Sequence, residues 1–296
     1  MLIGIDWGGT KIEIIALADD GAVLLRERIA TPQNDYEACV DAAVGLVQMC
    51  EAQLGQSGSV GVGIPGTISP ATGLVKNANS TWLNGQNLKS DLENKLQRDV
   101  RVQNDANCFT VSEAVDGAGA AKSVVSGIIL GTGCGSGIAI DGVPLLGAQG
   151  IAGEFGHTPL PYMTSEEHPG NECWCGKRGC LETYISGTGF SRDFQQRTGA
   201  VSLQSASEIL AMNTVESAAC YEAYCNRLAR GLSTIVNILD PDVIVLGGGM
   251  SNIAPLYIDL PKIIGAYVFS DGFTTPILRA HHGDSSGVRG AAWLWR

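Results

Sequence analysis

The sequence predicts an α/β protein made of one unit used twice, and three observations carry that expectation. The first half reads as strands and helices in the order β-β-β-α-β-α-β. The second half opens on the same strand-turn-strand pattern. Each half also places a glycine-rich turn directly after its first strand. A duplicated α/β unit provides a cleft between two sheets, a common place for a ligand.

The elements follow in order. Residues 2–6, 12–17 and 22–29 are strand-like runs, separated by the turn signals Gly8-Gly9 and Asp19-Asp20-Gly21. Residues 36–54 carry Val40, Val44, Val47 and Leu54 on one helical face. Strand 60–64 closes on Pro65-Gly66, and helix 88–96 leads to strand 100–103. In the second half, 124–130, 137–140 and 143–146 are strands around a glycine-rich turn, and helical segments fill 189–239. Residues 243–246 are wholly apolar, as expected at the centre of a covered sheet. Residues 276–280 make a last strand and 288–295 a final helix. The expected division is a smaller lobe at 1–108, completed by a C-terminal helix at 286–296, and a larger lobe at 109–285.

Composition narrows the function classes. The chain has 296 residues, 45% hydrophobic and 17% charged, which is ample for a core. A net charge of −11 argues against nucleic acid or an anionic membrane as partner. The richest apolar stretch, 124–140, is interrupted by Gly131, Gly133, Gly135 and Gly137, short of the roughly 18 unbroken residues of a membrane span. No basic segment precedes Asp6 as in a secretory signal, and the nine cysteines are an odd number. Together these predict a cytoplasmic protein without a disulfide framework.

Three turns at strand ends suit a nucleotide. Asp6-Trp7-Gly8-Gly9-Thr10-Lys11 offers backbone N–H groups, a hydroxyl and an ammonium to phosphate oxygens, and Asp6 suits a magnesium ion held through water. A plain hairpin turn is the alternative. Gly131-Thr132-Gly133-Cys134-Gly135-Ser136-Gly137 has more glycines than a tight hairpin needs, so close backbone contact with a ligand is expected. Gly247-Gly248-Gly249 seats an adenosine or tightly starts a helix. A fourth motif, Asn104-Asp105-Ala106-Asn107, puts a carboxylate at a strand end, where it can take a proton from an attacking hydroxyl or cap a helix.

The most specific pattern is His157 followed by Cys173, Cys175 and Cys180. One imidazole and three thiolates make a closed tetrahedral zinc site of structural type, and Gly176 and Gly179 let the loop wrap a metal. Glu154 and Glu182 flank these ligands, and their carboxylates suit sugar hydroxyls.

The motifs occur in an order that resembles the ROK family of bacterial sugar kinases and repressors. They are Asp6-x-Gly8-Gly9-Thr10-Lys11, Gly61-Val62-Gly63-Ile64-Pro65-Gly66, Asn104-Asp105-Ala106-Asn107, Gly153-Glu154-Phe155-Gly156-His157 and Cys173-x-Cys175-Gly176-x-x-Gly179-Cys180-x-Glu182. Segments 76–85 and 284–293 resemble the bacterial fructokinase (mannofructokinase) branch in particular. The resemblance implies a duplicated actin-like and hexokinase-like (ribonuclease H-like) fold, two lobes with ATP in a central cleft. It implies Asp105 as general base and magnesium with ATP. Asp6, Gly8, Gly9, Thr10, Lys11, Thr132, Gly133, Gly247, Gly248 and Gly249 would serve the nucleotide, and Gly66, Asn79, Asn104, Asp105, Glu154, His157 and Glu182 the sugar. The expected activity is ATP-dependent phosphorylation of a hexose, with fructose to fructose 6-phosphate the main reading. N-acetylglucosamine, N-acetylmannosamine, mannose and glucose are the alternatives. A homodimer is expected, since such proteins are commonly dimers or tetramers. A sugar-responsive repressor is the alternative of another class, but the phosphate turn begins at Asp6 and leaves no room before it for a DNA-binding domain.

Overall fold

The structure, a computed structural model, describes residues 1–296, the side chain of Asp284 excepted; the first residue of the 284–293 segment thus lies outside the described side chains. In chain order the elements are β1 Leu2–Trp7, β2 Lys11–Leu17, β3 Val23–Ala30, α1 Tyr36–Leu54, β4 Ser59–Ile64, β5 Thr67–Ile68 and β6 Val75–Lys76. They continue with α2 Leu88–Leu96, β7 Val100–Asn104, α3 Asp105–Val115, β8 Val124–Leu130, β9 Cys134–Ile140 and β10 Val143–Pro144. The rest are α4 Glu182–Ile185, α5 Gly187–Thr198, α6 Ala206–Ala211, α7 Val215–Leu239, β11 Val243–Gly247, α8 Leu256–Ile264, β12 Ile277–Arg279 and α9 Ser286–Trp293.

The duplication is present in the sheets. One has the order β3-β2-β1-β4-β7 and the other β10-β9-β8-β11-β12. In the first, β1–β2 and β2–β3 pair antiparallel, then β1–β4 and β4–β7 pair parallel. In the second, β9–β10 is antiparallel while β8–β11 and β11–β12 are parallel. This is the duplicated α/β architecture that the sequence predicted, and it agrees with the hexokinase-like fold that the resemblance implied.

The chain packs as two compact units. The first is Met1–Ser123, Gly137–Gly153 and His281–Arg296; the second is Val124–Ser136 and Glu154–Ala280. The division expected after residue 108 therefore falls inside α3. Residues 106–114 of that helix are all buried, so it stays whole with the first unit. The chain rejoins that unit at His281, ahead of the expected 286.

In the first unit, Ile3, Ile5, Ile12, Ile14, Val60 and Val62 form the core beneath α1. Helix α1 starts on Asp35, whose carboxylate accepts the Ala38 N–H at 3.0 Å, and ends at Gly55 in the left-handed conformation. Helix α9 lies on β1 and β4 and against α3 with backbone meeting backbone. A methyl at Gly4 would overlap the carbonyl oxygen of Val288, one at Gly61 that of Ala291, and one at Gly290 that of Cys108. The buried carboxylate of Glu113 fixes the segment leading into α9. It accepts from the N–H groups of His281 (2.9 Å) and His282 (3.2 Å), the Ser286 hydroxyl (2.8 Å) and the Ala118 N–H (2.9 Å). Four donors replace the water that a buried carboxylate loses.

In the second unit, α5, α7 and α8 pack with β8 and β11 around Ile128, Phe190, Tyr224, Leu228, Ile244 and Leu246. The helical run expected at 189–239 divides into α5, α6 and α7, broken at Gly199 (φ 71°) and Asn213 (φ 50°). The strand expected at 143–146 stops at Pro144. Helices α3 and α8 carried little sequence signal: burial of α3 on every side removes its polar stripe, and α8 contains Pro261. Among the described residues no helix is long and apolar enough to cross a membrane.

The seat of α9 makes a direct prediction. Gly61→Ala places a methyl on the Ala291 carbonyl and is expected to cost about 1–3 kcal/mol or more, lowering Tm by several degrees. Gly45→Ala, on an exposed position inside α1 with open space around it, should leave Tm unchanged or raise it. Thermal melts of the two variants decide it.

Candidate active site

The predicted residues of the first unit gather where parallel strands end. Asp6 is the penultimate residue of β1 and Gly8 follows that strand, Gly66 follows β4, and Asn104 and Asp105 stand at the β7–α3 junction. Open α/β sheets bind ligands at these carboxyl ends. The Gly8–Lys11 turn is closed by the Gly8 N–H to the Lys11 carbonyl at 2.9 Å. Two residues that sequence reasoning missed hold it from outside: the Thr31 hydroxyl donates to the Gly8 carbonyl (2.8 Å) and the Gln33 amide to the Gly9 carbonyl (2.9 Å). A methyl on Gly9 would stand 2.9 Å from the Ser80 hydroxyl oxygen, so the turn and the Asn79-Ser80 segment are neighbours. That segment is in turn fixed by the Asn79 N–H to the Pro65 carbonyl (3.3 Å), and the Asn104 amide donates to the Gly66 carbonyl (3.2 Å). Gly66, Asn79, Asn104 and the phosphate-type turn thus form one neighbourhood.

The helix-cap reading of the Asn104-Asp105 pair resolves onto one residue. Asn104 is the cap, its oxygen accepting the N–H groups of Ala106 (2.9 Å) and Asn107 (3.4 Å). Asp105 is the first helical residue, and its carboxylate accepts the Ala106 N–H at 2.8 Å.

Asp6 is a buried carboxyl with a raised pKa. Burial, then the nearby Glu13, push its carboxyl from the ordinary 3.8 to about 6, against the opposing pull of Lys11 and Arg28. Glu13 is itself buried and bound to Arg26 and Arg28 on β3, each at 2.5 Å.

In the second unit, Gly131, Thr132 and Gly249 line a cavity of about 1100 Å³ whose other walls include Leu203, Leu210 and Ile253. Glycine backbone on one side and apolar side chains on the other suit a nucleoside. Gly133, Gly247 and Gly248 are not among its walls. Gly247 ends β11, and a methyl on Gly248 would meet the Leu130 carbonyl at 2.6 Å. The alternating glycines have packing causes as well: a methyl on Gly133 would lie 2.5 Å from the Glu182 carboxylate, and one on Gly137 2.8 Å from the Ala106 carbonyl.

His157, Cys173, Cys175 and Cys180 come together as the spacing predicts. One donor atom from each lies within 4.8 Å of all the others. Backbone bonds from Leu160 to Gly179 and from Leu181 to Thr158, both 2.8 Å, hold His157 beside Cys180. A tight turn, Cys173 N–H to Lys177 at 2.9 Å and Gly176 N–H to Cys173 at 3.0 Å, presents two of the thiols. Gly176 (φ 86°) and Gly179 (φ 78°) take conformations that favour glycine. The set fits a tetrahedral metal ion. His157 turns Nδ1 to the Cys173 thiol at 3.6 Å, which leaves Nε2 for a different partner.

Glu182 joins this cluster to the glycine turn. Its carboxylate accepts the Cys134 N–H (2.9 Å) on one oxygen and the Trp174 indole N–H (2.8 Å) on the other. Glu154 is exposed and leads into the turn Phe155–His157, in which Gly156 packs on the Cys134 carbonyl. Sequence reasoning missed Trp174, whose only signal was a large aromatic side chain inside a glycine-rich metal loop.

Comparison with known proteins gives a consistent picture. The ROK family model matches residues 2–296. The chain is 41% identical over 301 residues to the N-acetyl-D-glucosamine kinase of Photobacterium profundum, with 99% of each covered, and enzymes of the same name stand at 39–40%. Among solved structures, the ROK hexokinase of Thermus thermophilus superposes with a TM-score of 0.87 at 26% identity, covering 99% of this chain and 97% of that one. A ROK glucokinase of Streptomyces griseus, crystallised with glucose and AMPPNP, gives 0.78 at 28% identity, covering 98% and 97%.

The raised Asp6 carboxyl predicts a pH signature. Unfolded, the group ionises near 3.8; folded, near 6. The cost of its buried charge is absent below about pH 4, grows between 4 and 6, and is full above 6. Asp6→Asn should therefore be more stable than the parent at pH 7–8, with the difference shrinking toward zero near pH 4. Tm measured across pH checks it.

Proposed function

Because the chain belongs to the ROK family, we propose that this sugar kinase transfers the γ-phosphoryl group of ATP to N-acetyl-D-glucosamine. The supporting observation is identity of about 40% over the full length to enzymes that bear that name. Fructose, the main expectation from segments 76–85 and 284–293, has weaker support. Many residues of those segments answer to the scaffold. Asn84 bonds both the N–H and the carbonyl of Ala78 at 2.9 Å, and Gly290 makes the close approach of α9 to α3. Residues fixed by backbone packing say little about which sugar is held.

Phosphoryl transfer asks mainly for positioning and for stabilisation of charge. Asp105 takes the proton of the attacking sugar hydroxyl, while Asn104 keeps the first turn of α3 in place. Gly66, Asn79 and Asn104 contact sugar hydroxyls, a role that Glu154, His157 and Glu182 also have. Asp6 and the Gly8–Lys11 turn serve the phosphates and, through water, magnesium, which supplies charge neutralisation when it arrives with ATP. The cavity at Thr132 and Gly249 takes the adenosine. His157 Nδ1, Cys173, Cys175 and Cys180 would hold a structural zinc ion, which would fix the loop carrying Trp174 and orient His157.

Two measurements test this. Asp105→Asn keeps shape and hydrogen bonding but cannot take the proton, so kcat should fall roughly 10²–10⁴-fold with a much smaller change in sugar affinity. In the parent enzyme, kcat/KM for N-acetyl-D-glucosamine should exceed that for fructose, mannose, glucose and N-acetylmannosamine; preference for fructose would restore the first expectation. Metal analysis should separately find about one zinc per chain, lost together with thermal stability in Cys175→Ser. Metal-free protein of full stability would remove zinc from the account.

A further inference from the structure

Trp174 stands between two thiols of the metal cluster, yet 69% of it is exposed. It contacts two residues assigned above to the sugar, Glu182 and His157. The indole N–H donates to Oε1 of Glu182 at 2.8 Å, and the ring meets His157 edge-on, with centroids 5.0 Å apart and planes at 80°. The opposite oxygen of Glu182 is held by the Cys134 N–H at 2.9 Å, against a Gly133 that leaves no room for a methyl.

We propose that Trp174 is a positioning residue for sugar recognition: its indole N–H and ring edge lock the Glu182 carboxylate and the His157 imidazole in one orientation. The inference rests on the reading that Glu182 and His157 meet the sugar. The chemistry is that of a carboxylate with two oxygens and about four acceptor sites. The Cys173 sulfur also faces Oε1, at 3.9 Å, but as a metal-bound thiolate it would not donate; the two N–H donors, one on each oxygen, then stop the group from rotating and leave one acceptor site on each oxygen. Those two sites can receive two hydroxyls of a pyranose without the cost of ordering the carboxylate at the moment of binding. The edge contact acts in the same way on His157, whose Nδ1 faces the thiols while the ring keeps its plane for Nε2. The exposed remainder of the indole makes sugar arrival visible, because tryptophan emission responds to a change in what surrounds the ring.

The experiment uses the zinc-loaded enzyme with N-acetyl-D-glucosamine and compares Trp174→Phe, Trp174→Gln and Glu182→Gln with the parent. Phe keeps the aromatic body and loses the donor; Gln restores an N–H without the ring. Zinc content confirms that each variant keeps its loop. Trp174→Phe should raise the sugar KM about tenfold, the low end for a hydrogen bond to a charged group that remains partly in water. The KM for ATP should stay as in the parent, and kcat should change less than threefold. Trp174→Gln should recover part of the loss. The sugar-induced change in tryptophan emission should vanish in Trp174→Phe. Sugar KM and emission response both equal to the parent in Trp174→Phe, with Glu182→Gln impaired, would overturn the role of Trp174 alone. An unimpaired Glu182→Gln would instead overturn the sugar assignment on which it rests.

Discussion

The seating of α9 on β1, β4 and α3, with no side chain between the backbones at Gly4, Gly61 or Gly290, is the contact on which the site of the first unit depends. It brings the last residues of the chain against the strands that began it. Gly287, in the first turn of α9, places its α-carbon where a methyl would stand 3.5 Å from the Asp6 carboxylate. The N-terminal end of a helix thus faces a carboxyl that burial and Glu13 would otherwise leave unfavourable. Glu113 anchors the approach to this helix, so a buried carboxylate serves as a latch through four hydrogen bonds.

Glu182 has the equivalent place in the second unit. The turn after β8, the loop of the metal cluster and the start of α4 have no reason in sequence to share a point. They share the Glu182 carboxylate, through Cys134, Trp174 and the residue's own position in α4. Preorganised acceptors of this kind carry their ordering cost in folding, and that leaves more of the contact energy for binding.

The two readings of the sugar, fructose and N-acetyl-D-glucosamine, show what motif similarity measures. Segments that match a subfamily most visibly can do so because the backbone requires those residues. The glycines of α9 and the amide of Asn84 are of that kind. Choice between sugars of similar size depends on a few side chains whose placement no local pattern encodes.

Much of the fold was legible in the sequence. Alternating and continuous apolar runs marked most strands, and α1 and α2 were legible over Tyr36–Leu54 and Leu88–Leu96. The gathering of His157 with Cys173, Cys175 and Cys180 was legible as well, because three cysteines and a histidine at that spacing have few other uses. Hydrophobic period and ligand spacing are local properties, and local properties can be read from a string. The tertiary structure alone decided the rest. It assigned the helix cap to Asn104, turned Gly133 toward Glu182, joined 281–296 to the first unit and tied Trp174 to the Glu182 carboxylate. Each of these is a meeting of residues distant in sequence or a choice between neighbours. Such choices are settled by which backbones can approach and which buried polar groups find partners, and neither exists before the chain has packed.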